Sequence, residues 1–306
     1  MNPPLGAPPL PPALPGERRE LNSAAGRLSY YMQAPACPPA RPLLLIHSIN
    51  AAASAAEVRP LYTHFTAERP VYAIDLPGYG FAERSDRAYT PRLMTDALHA
   101  MTAEIRDRHG TEPIDAMALS LSCEFLARAA LEQPATYRSL ALVSPTGFSG
   151  RTLRRGPPGS TRALPRLRRA FHSRLLDPRL FLLLTTPAVI AFFLRKTWGS
   201  REIDAELLAY DVLSTRQPDA QYAPFDFLSG GLFSGDVNAL YERLTLPVWM
   251  VHGTRGDFVD YRLKNTVEGR PNWHIGVMPT GALPYFELPE RFMQDWQGFL
   301  DALPGR

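Results

Sequence analysis

Ile114-Asp-Ala-Met-Ala-Leu119-Ser120-Leu-Ser122-Cys123 is the stretch that decides the fold. Ile114–Leu119 reads as a strand and Leu121–Gln133 as a helix, so Ser120 falls at their junction. A serine in such a turn projects from the carboxyl end of a sheet. The next backbone N–H groups and the helix N-terminus then aim at any negative charge that develops beside it. The usual pattern is G-x-S-x-G, because bulk at either flank would clash. Ala118 and Ser122 occupy those flanks and are both small, so the pattern is met imperfectly. A serine that merely ends a strand is the plainer alternative. Ser122 is a rival nucleophile, but it falls inside the helix start, and Cys123 reads as a small buried hydrophobe.

Outward from this turn, strands and helices alternate. Arg18–Asn22 and Arg27–Met32 resemble an opening hairpin. Pro42–Ile46 is a continuous apolar run, as expected of a strand buried on both faces. A helix over Ala55–Phe65 with Ser54 as N-cap follows, then a strand at Val71–Ile74 and the glycine-punctuated loop Asp75-Leu-Pro-Gly-Tyr-Gly80. Thr90–Arg108 is helical in period, and Ser139–Val143, Val248–Val251 and His274–Val277 are further strands. This rhythm predicts an α/β fold with a mostly parallel sheet and helices on both faces. Residues 148–240 break it with a helical, arginine-rich pattern that reads as an inserted cap. The core is then 18–147 and 241–306, and the proline-rich 1–17 reads as a disordered tail.

Composition excludes several classes. The 306 residues are 45% hydrophobic and 21% charged with a net charge of +3, so nothing global points to nucleic acid. Two distant cysteines, Cys37 and Cys123, offer neither a disulfide framework nor metal spacing, and the expected setting is reduced and cytoplasmic, without metal or cofactor. The longest apolar run, Leu180–Leu194, is broken by Pro187 and too short to span a bilayer in the usual way.

Two further turns carry chemistry. His47-Ser48-Ile49-Asn50 follows the first buried strand. Val251-His252-Gly253-Thr254-Arg255-Gly256-Asp257 follows a late one, and Asp257 there reads as an acid that supports an imidazolium, with Asp260 a distant second. A helix-capping or solvated Asp257 is the alternative. In the order serine, acid, closing loop, the chain resembles the α/β-hydrolase superfamily over Arg18–Leu303, and Asp75–Gly80 adds to the match. That resemblance implies an eight-stranded sheet with a helical lid between strands six and seven. It implies Ser120 as nucleophile and the N–H groups of Ile49 and Leu121 as oxyanion donors, with Asn50 adding a side-chain donor. His47 either lines the pocket or only bonds its own turn.

The same resemblance exposes a gap. Met278-Pro-Thr-Gly-Ala282-Leu-Pro-Tyr-Phe-Glu287 looks like the loop that presents the base histidine, and Ala282 stands at that position. Without a base a serine hydroxyl is a poor nucleophile. An engineered substitution, a natural loss and a surrogate base elsewhere remain open. The other histidines and Glu124 are weak surrogates; Glu124 reads as complementing the helix N-terminus.

The insertion suggests the ligand. Arg151–Arg174 holds eight arginines and no acid, and apolar Leu180–Leu194 follows. A solvated basic face beside an apolar helix is the plain reading; peripheral contact with a membrane surface is the sharper one. Phe192, Tyr222, Phe225, Phe227 and Phe233 suggest an apolar chamber, with His47, Asn50 and Ser122 completing the expected pocket. The leading expectation is an enzyme acting on a hydrophobic ester-like substrate. Its rivals are a ligand-binding pseudo-hydrolase and a lyase- or cyclase-type enzyme using the same cavity.

Overall fold

The structure is a computed structural model that describes residues 8–35, 41–171, 173 and 177–304. Cys37, His172, Arg174-Leu175-Leu176 and the first seven residues of the tail lie outside the described residues. In chain order the strands are β1 (Glu17–Ser23), β2 (Gly26–Gln33), β3 (Leu43–Ile46), β4 (Val71–Asp75), β5 (Ile114–Leu119), β6 (Tyr137–Val143), β7 (Val248–Gly253) and β8 (Trp273–Met278). Helices α1 (Arg59–Phe65), α2 (Pro91–His109) and α3 (Ser122–Glu132) alternate with them. Then come α4 (Pro165–Phe171), α5 (Asp177–Leu184), α6 (Pro187–Trp198), α7 (Ala205–Thr215), α8 (Tyr222–Leu228) and α9 (Val237–Arg243). Last are α10 (Pro284–Glu287) and α11 (Pro289–Asp301).

The eight strands form one sheet in the order β1-β2-β4-β3-β5-β6-β7-β8. Only the β1–β2 and β2–β4 pairs are antiparallel; every pair from β4 through β8 is parallel. Strands β3, β4, β5 and β7 are buried at every residue, which is why their sequences run apolar without alternation. Alternate residues feed the two cores, with Leu44 and Ile46 on one face and Leu43 and Leu45 on the other. The chain leaves β3 toward β4 and leaves β5 toward β6, in opposite directions along the sheet. The ends of β3 and β5 therefore diverge, and a crevice opens at that switch point, where ligands bind in open α/β sheets.

Helices α4–α9 stand between β6 and β7, where the break in rhythm predicts an insertion. The tail departs from expectation. Residues 8–16 are not a free segment: Leu14 and Ala13 are buried, Ala13 N–H donates to the Tyr31 hydroxyl at 2.9 Å, and the Tyr210 hydroxyl donates to the Pro11 carbonyl at 3.1 Å. Proline-rich composition reads as unstructured because it lacks periodicity, yet an extended proline segment loses little entropy when it docks. Among the described residues no helix is long and apolar enough to cross a membrane.

Candidate active site

Ser120 sits between β5 and α3 with φ of +56°. A side chain in that left-handed region costs about 1–2 kcal/mol, so the surrounding bonds must impose it. Its N–H donates to the Val143 carbonyl at 2.8 Å, and its own carbonyl accepts from Cys123 N–H at 3.2 Å. Ser122 hydroxyl donates to the His47 carbonyl at 2.6 Å, tying the turn after β5 to the turn after β3.

Those two turns border a cavity of about 150 Å³. Ser120, Leu121, Ile49, Asn50 and Ala282 all line it, so five of the residues expected at the site come together. Among the described residues neither the Ile49 N–H nor the Leu121 N–H is bonded to a chain acceptor. Leu194, Trp198, Leu207, Phe227, Phe233 and Phe258 supply the apolar wall, while Ser144 and Thr146 add hydroxyls. A larger open hollow of about 930 Å³ lies between α1 and α11, but it contains none of these groups and sits away from the switch point.

A family model described as the alpha/beta hydrolase family matches residues 43–295. The chain belongs to the alpha/beta hydrolase family. No curated protein matches it. Among solved structures it is similar to a serine hydrolase involved in carbazole degradation, with 16% identity over 93% of this chain and 98% of that one and a TM-score of 0.71. It is similar to a thermophilic esterase from Thermogutta terrifontis, at 16% identity over 95% and 100% of the two chains and a TM-score of 0.69. A membrane phospholipase A described as a bacterial virulence factor matches at 18% identity over 95% and 87%, with a TM-score of 0.68.

Against that family frame, four expected pocket residues belong elsewhere. His47 is buried beneath its turn: Nδ1–H donates to the Ser48 carbonyl at 2.6 Å and Nε2 accepts Leu76 N–H at 3.0 Å. Burial drives its pKa down to about 4, so it is neutral and structural. Ser122 is spent on the His47 carbonyl and does not line the cavity. Phe225 is fully buried against Phe171 and Phe181, away from Ser120. Phe192 is exposed. On α6 the residues 194, 197 and 198 share the cavity face, and position 192 lies about 160° from residue 194.

Asp257 does not line the cavity either. Its half-exposed carboxylate pairs with Lys196 at 3.1 Å, and Asp260 bonds Gly150 N–H and Arg262. The last turn of α6 explains the separation. Lys196 carbonyl accepts Asp257 N–H at 3.0 Å, and Thr197 carbonyl accepts Ala282 N–H at 3.0 Å, so this turn is bonded to both loops. Glycines permit the approach: a Cβ on Gly281 would lie 2.4 Å from the Trp198 carbonyl oxygen. Ala282 is fixed from the other side as well, where the Ser144 hydroxyl donates to its carbonyl at 2.7 Å.

Two buried carboxylates stand at or near the site, Glu57 in its lining and Glu124 behind Thr146. Glu57 lines the cavity, buried; it accepts Ser48 N–H at 2.7 Å, Ser48 hydroxyl at 2.9 Å and Asn50 side-chain N–H at 2.6 Å. Burial raises its pKa, and these three donors oppose that. Sequence reasoning missed Glu57 because Ser54-Ala-Ala-Glu57 has the form of a capping box, in which the acid would bond the helix start. Here Ser54 caps and Glu57 turns to the Ser48 turn instead. Glu124, expected at a helix N-terminus, accepts the Thr146 hydroxyl and Ser234 N–H, and burial pushes its pKa up to about 7. Among the described residues no side chain is hydrogen-bonded to the Ser120 hydroxyl, and no cluster of acids, histidines and cysteines could hold a metal ion. His252 stacks on Tyr261, outside the cavity.

Proposed function

We propose that the cavity binds a compound with a small apolar acyl group and that Ser120 attacks its carbonyl, making the protein an esterase of low intrinsic turnover. One observation carries this reading: a serine strained to φ +56° shares a cavity with two unengaged backbone N–H groups, those of Ile49 and Leu121. In the proposed reaction Ser120 Oγ adds to the carbonyl carbon while the two N–H groups hold the resulting oxyanion. Collapse breaks the ester C–O bond and leaves an acyl-serine, which water then cleaves. The Oγ proton passes to solvent and the leaving oxygen takes one from it, since no described side chain bonds Oγ. That lack of a partner is the reason for the low turnover.

A second reading, a ligand-binding protein without turnover, is favoured by Ala282 and by the α6 turn that keeps Asp257 from the cavity. A fluorophosphonate probe separates the two. Covalent labelling that disappears in Ser120→Ala supports the esterase, whereas no labelling over hours at millimolar probe removes it. A lyase- or cyclase-type reaction has no specific support in this cavity.

A further inference from the structure

Among the described residues, exposed apolar side chains fall mainly on two consecutive helices and one loop. Ten large hydrophobic side chains among the described residues are well exposed, and seven of them cluster by element: Leu182–Leu184 on α5, Phe192 and Phe193 on α6, and Phe258-Val259 after β7. The Asp257–Lys196 backbone bond holds the 258–259 loop against the end of α6. Leu194 and Phe258 also line the Ser120 cavity, so the apolar face reaches its wall.

Positive charge is in excess in the segment that contains these two helices. Residues 148–240 hold thirteen arginines and lysines against eight acids, more than the whole excess of the chain, whose net charge is +3. Arg179 and Arg195 stand exposed on α5 and α6, while Lys196 beside them is paired with Asp257. Where no described helix is long and apolar enough to cross a membrane, patches of this kind mark an interaction surface. A second copy would cover it poorly, because two-fold pairing of this face would set one basic rim against the other.

We propose that the α5–α6 face docks on an anionic lipid bilayer. The leucines and phenylalanines enter the headgroup–acyl boundary, and the arginines meet lipid phosphates. Helix α6 has twelve residues, about 18 Å, and lies along the surface with its opposite face still lining the cavity. That the cavity would then draw acyl esters from the bilayer rests on the esterase reading; the docking itself does not.

The test is co-sedimentation of the full chain with vesicles of equal parts phosphatidylglycerol and phosphatidylcholine, compared with phosphatidylcholine alone. Binding is expected to the anionic vesicles and to fall sharply at about 0.5 M NaCl. Leu183→Ser with Phe193→Ser, both at exposed positions, should weaken it about tenfold or more. Arg179→Gln and Arg195→Gln should each weaken it about fivefold. Equal binding to both vesicle types, or none to either, overturns the proposal. So does a dimer in sedimentation velocity that these variants dissolve while vesicles bind nothing. The readout is binding rather than turnover, so its failure leaves Ser120 labelling to be judged alone.

Discussion

Ala282 N–H donates to the Thr197 carbonyl at 3.0 Å, placing the last turn of α6 against the loop after β8. One residue earlier, the Lys196 carbonyl holds Asp257 N–H, and the Lys196 side chain holds its carboxylate. Among the described residues, the cavity lining therefore includes neither an imidazole nor the Asp257 carboxylate.

Placing a histidine at position 282 should consequently raise turnover little. A histidine without its supporting acid loses roughly 10⁴-fold, and a complete triad is worth on the order of 10⁶-fold. Ala282→His is expected to raise p-nitrophenyl ester turnover by no more than about 10²-fold. A rise near 10⁶-fold would show that Asp257 can leave Lys196 and reach the cavity.

Ser120→Gly should remove labelling and at the same time stabilise the fold. Glycine takes the left-handed φ without the Cβ penalty, a gain of about 1 kcal/mol or roughly 2 °C in Tm. Scanning calorimetry of the two proteins measures it; a lower Tm in the glycine variant would argue that the +56° geometry is not strained.

Much of this architecture was legible in the sequence. Continuous apolar runs such as Leu43–Ile46 have no place except a doubly covered parallel sheet, and Ser120 stands at a junction that only a tight turn can fill. The side of a helix is harder to read. Phe192 and Phe225 are as apolar as Phe227, and only rotation about each helix axis separates cavity from surface or core. Glu57 was hidden for a different reason, since a short-range capping pattern and a tertiary network share one sequence signature.

Glu57→Gln should disturb the Ile49 side of the cavity without touching Ser120. A glutamine cannot accept at both terminal atoms, so one of Ser48 N–H, Ser48 hydroxyl or Asn50 N–H loses its acceptor in a buried place. The expected cost is about 1–3 kcal/mol in denaturant unfolding, with slower probe labelling. Unchanged labelling would mean that the His47–Asn50 turn holds itself.

The buried Glu124 gives a pH dependence of definite sign. Its folded pKa, about 7, exceeds the unfolded carboxylate value, so the folded protein keeps a proton that the unfolded chain releases. Its contribution is fully present below the unfolded carboxylate pKa and is lost as pH rises through about 7. It amounts to a few kcal/mol at most. Glu124→Gln lacks this loss, so the Tm of the variant relative to the parent should climb between pH 5 and pH 8. A constant difference would place Glu124 in a wetter setting than its bonds to Thr146 and Ser234 imply.

The docked segment 8–16 bears on how the molecule can breathe. Through Ala13 and Tyr31 it is fastened to the second strand, and through Pro11 and Tyr210 to α7, whose Leu207 forms part of the cavity wall. It ties the sheet to α7. Trimming the chain to Glu17 would remove both of these bonds while leaving the residues of every strand and helix in place, so the wall that Leu207 gives the Ser120 cavity would lose one anchor to the sheet.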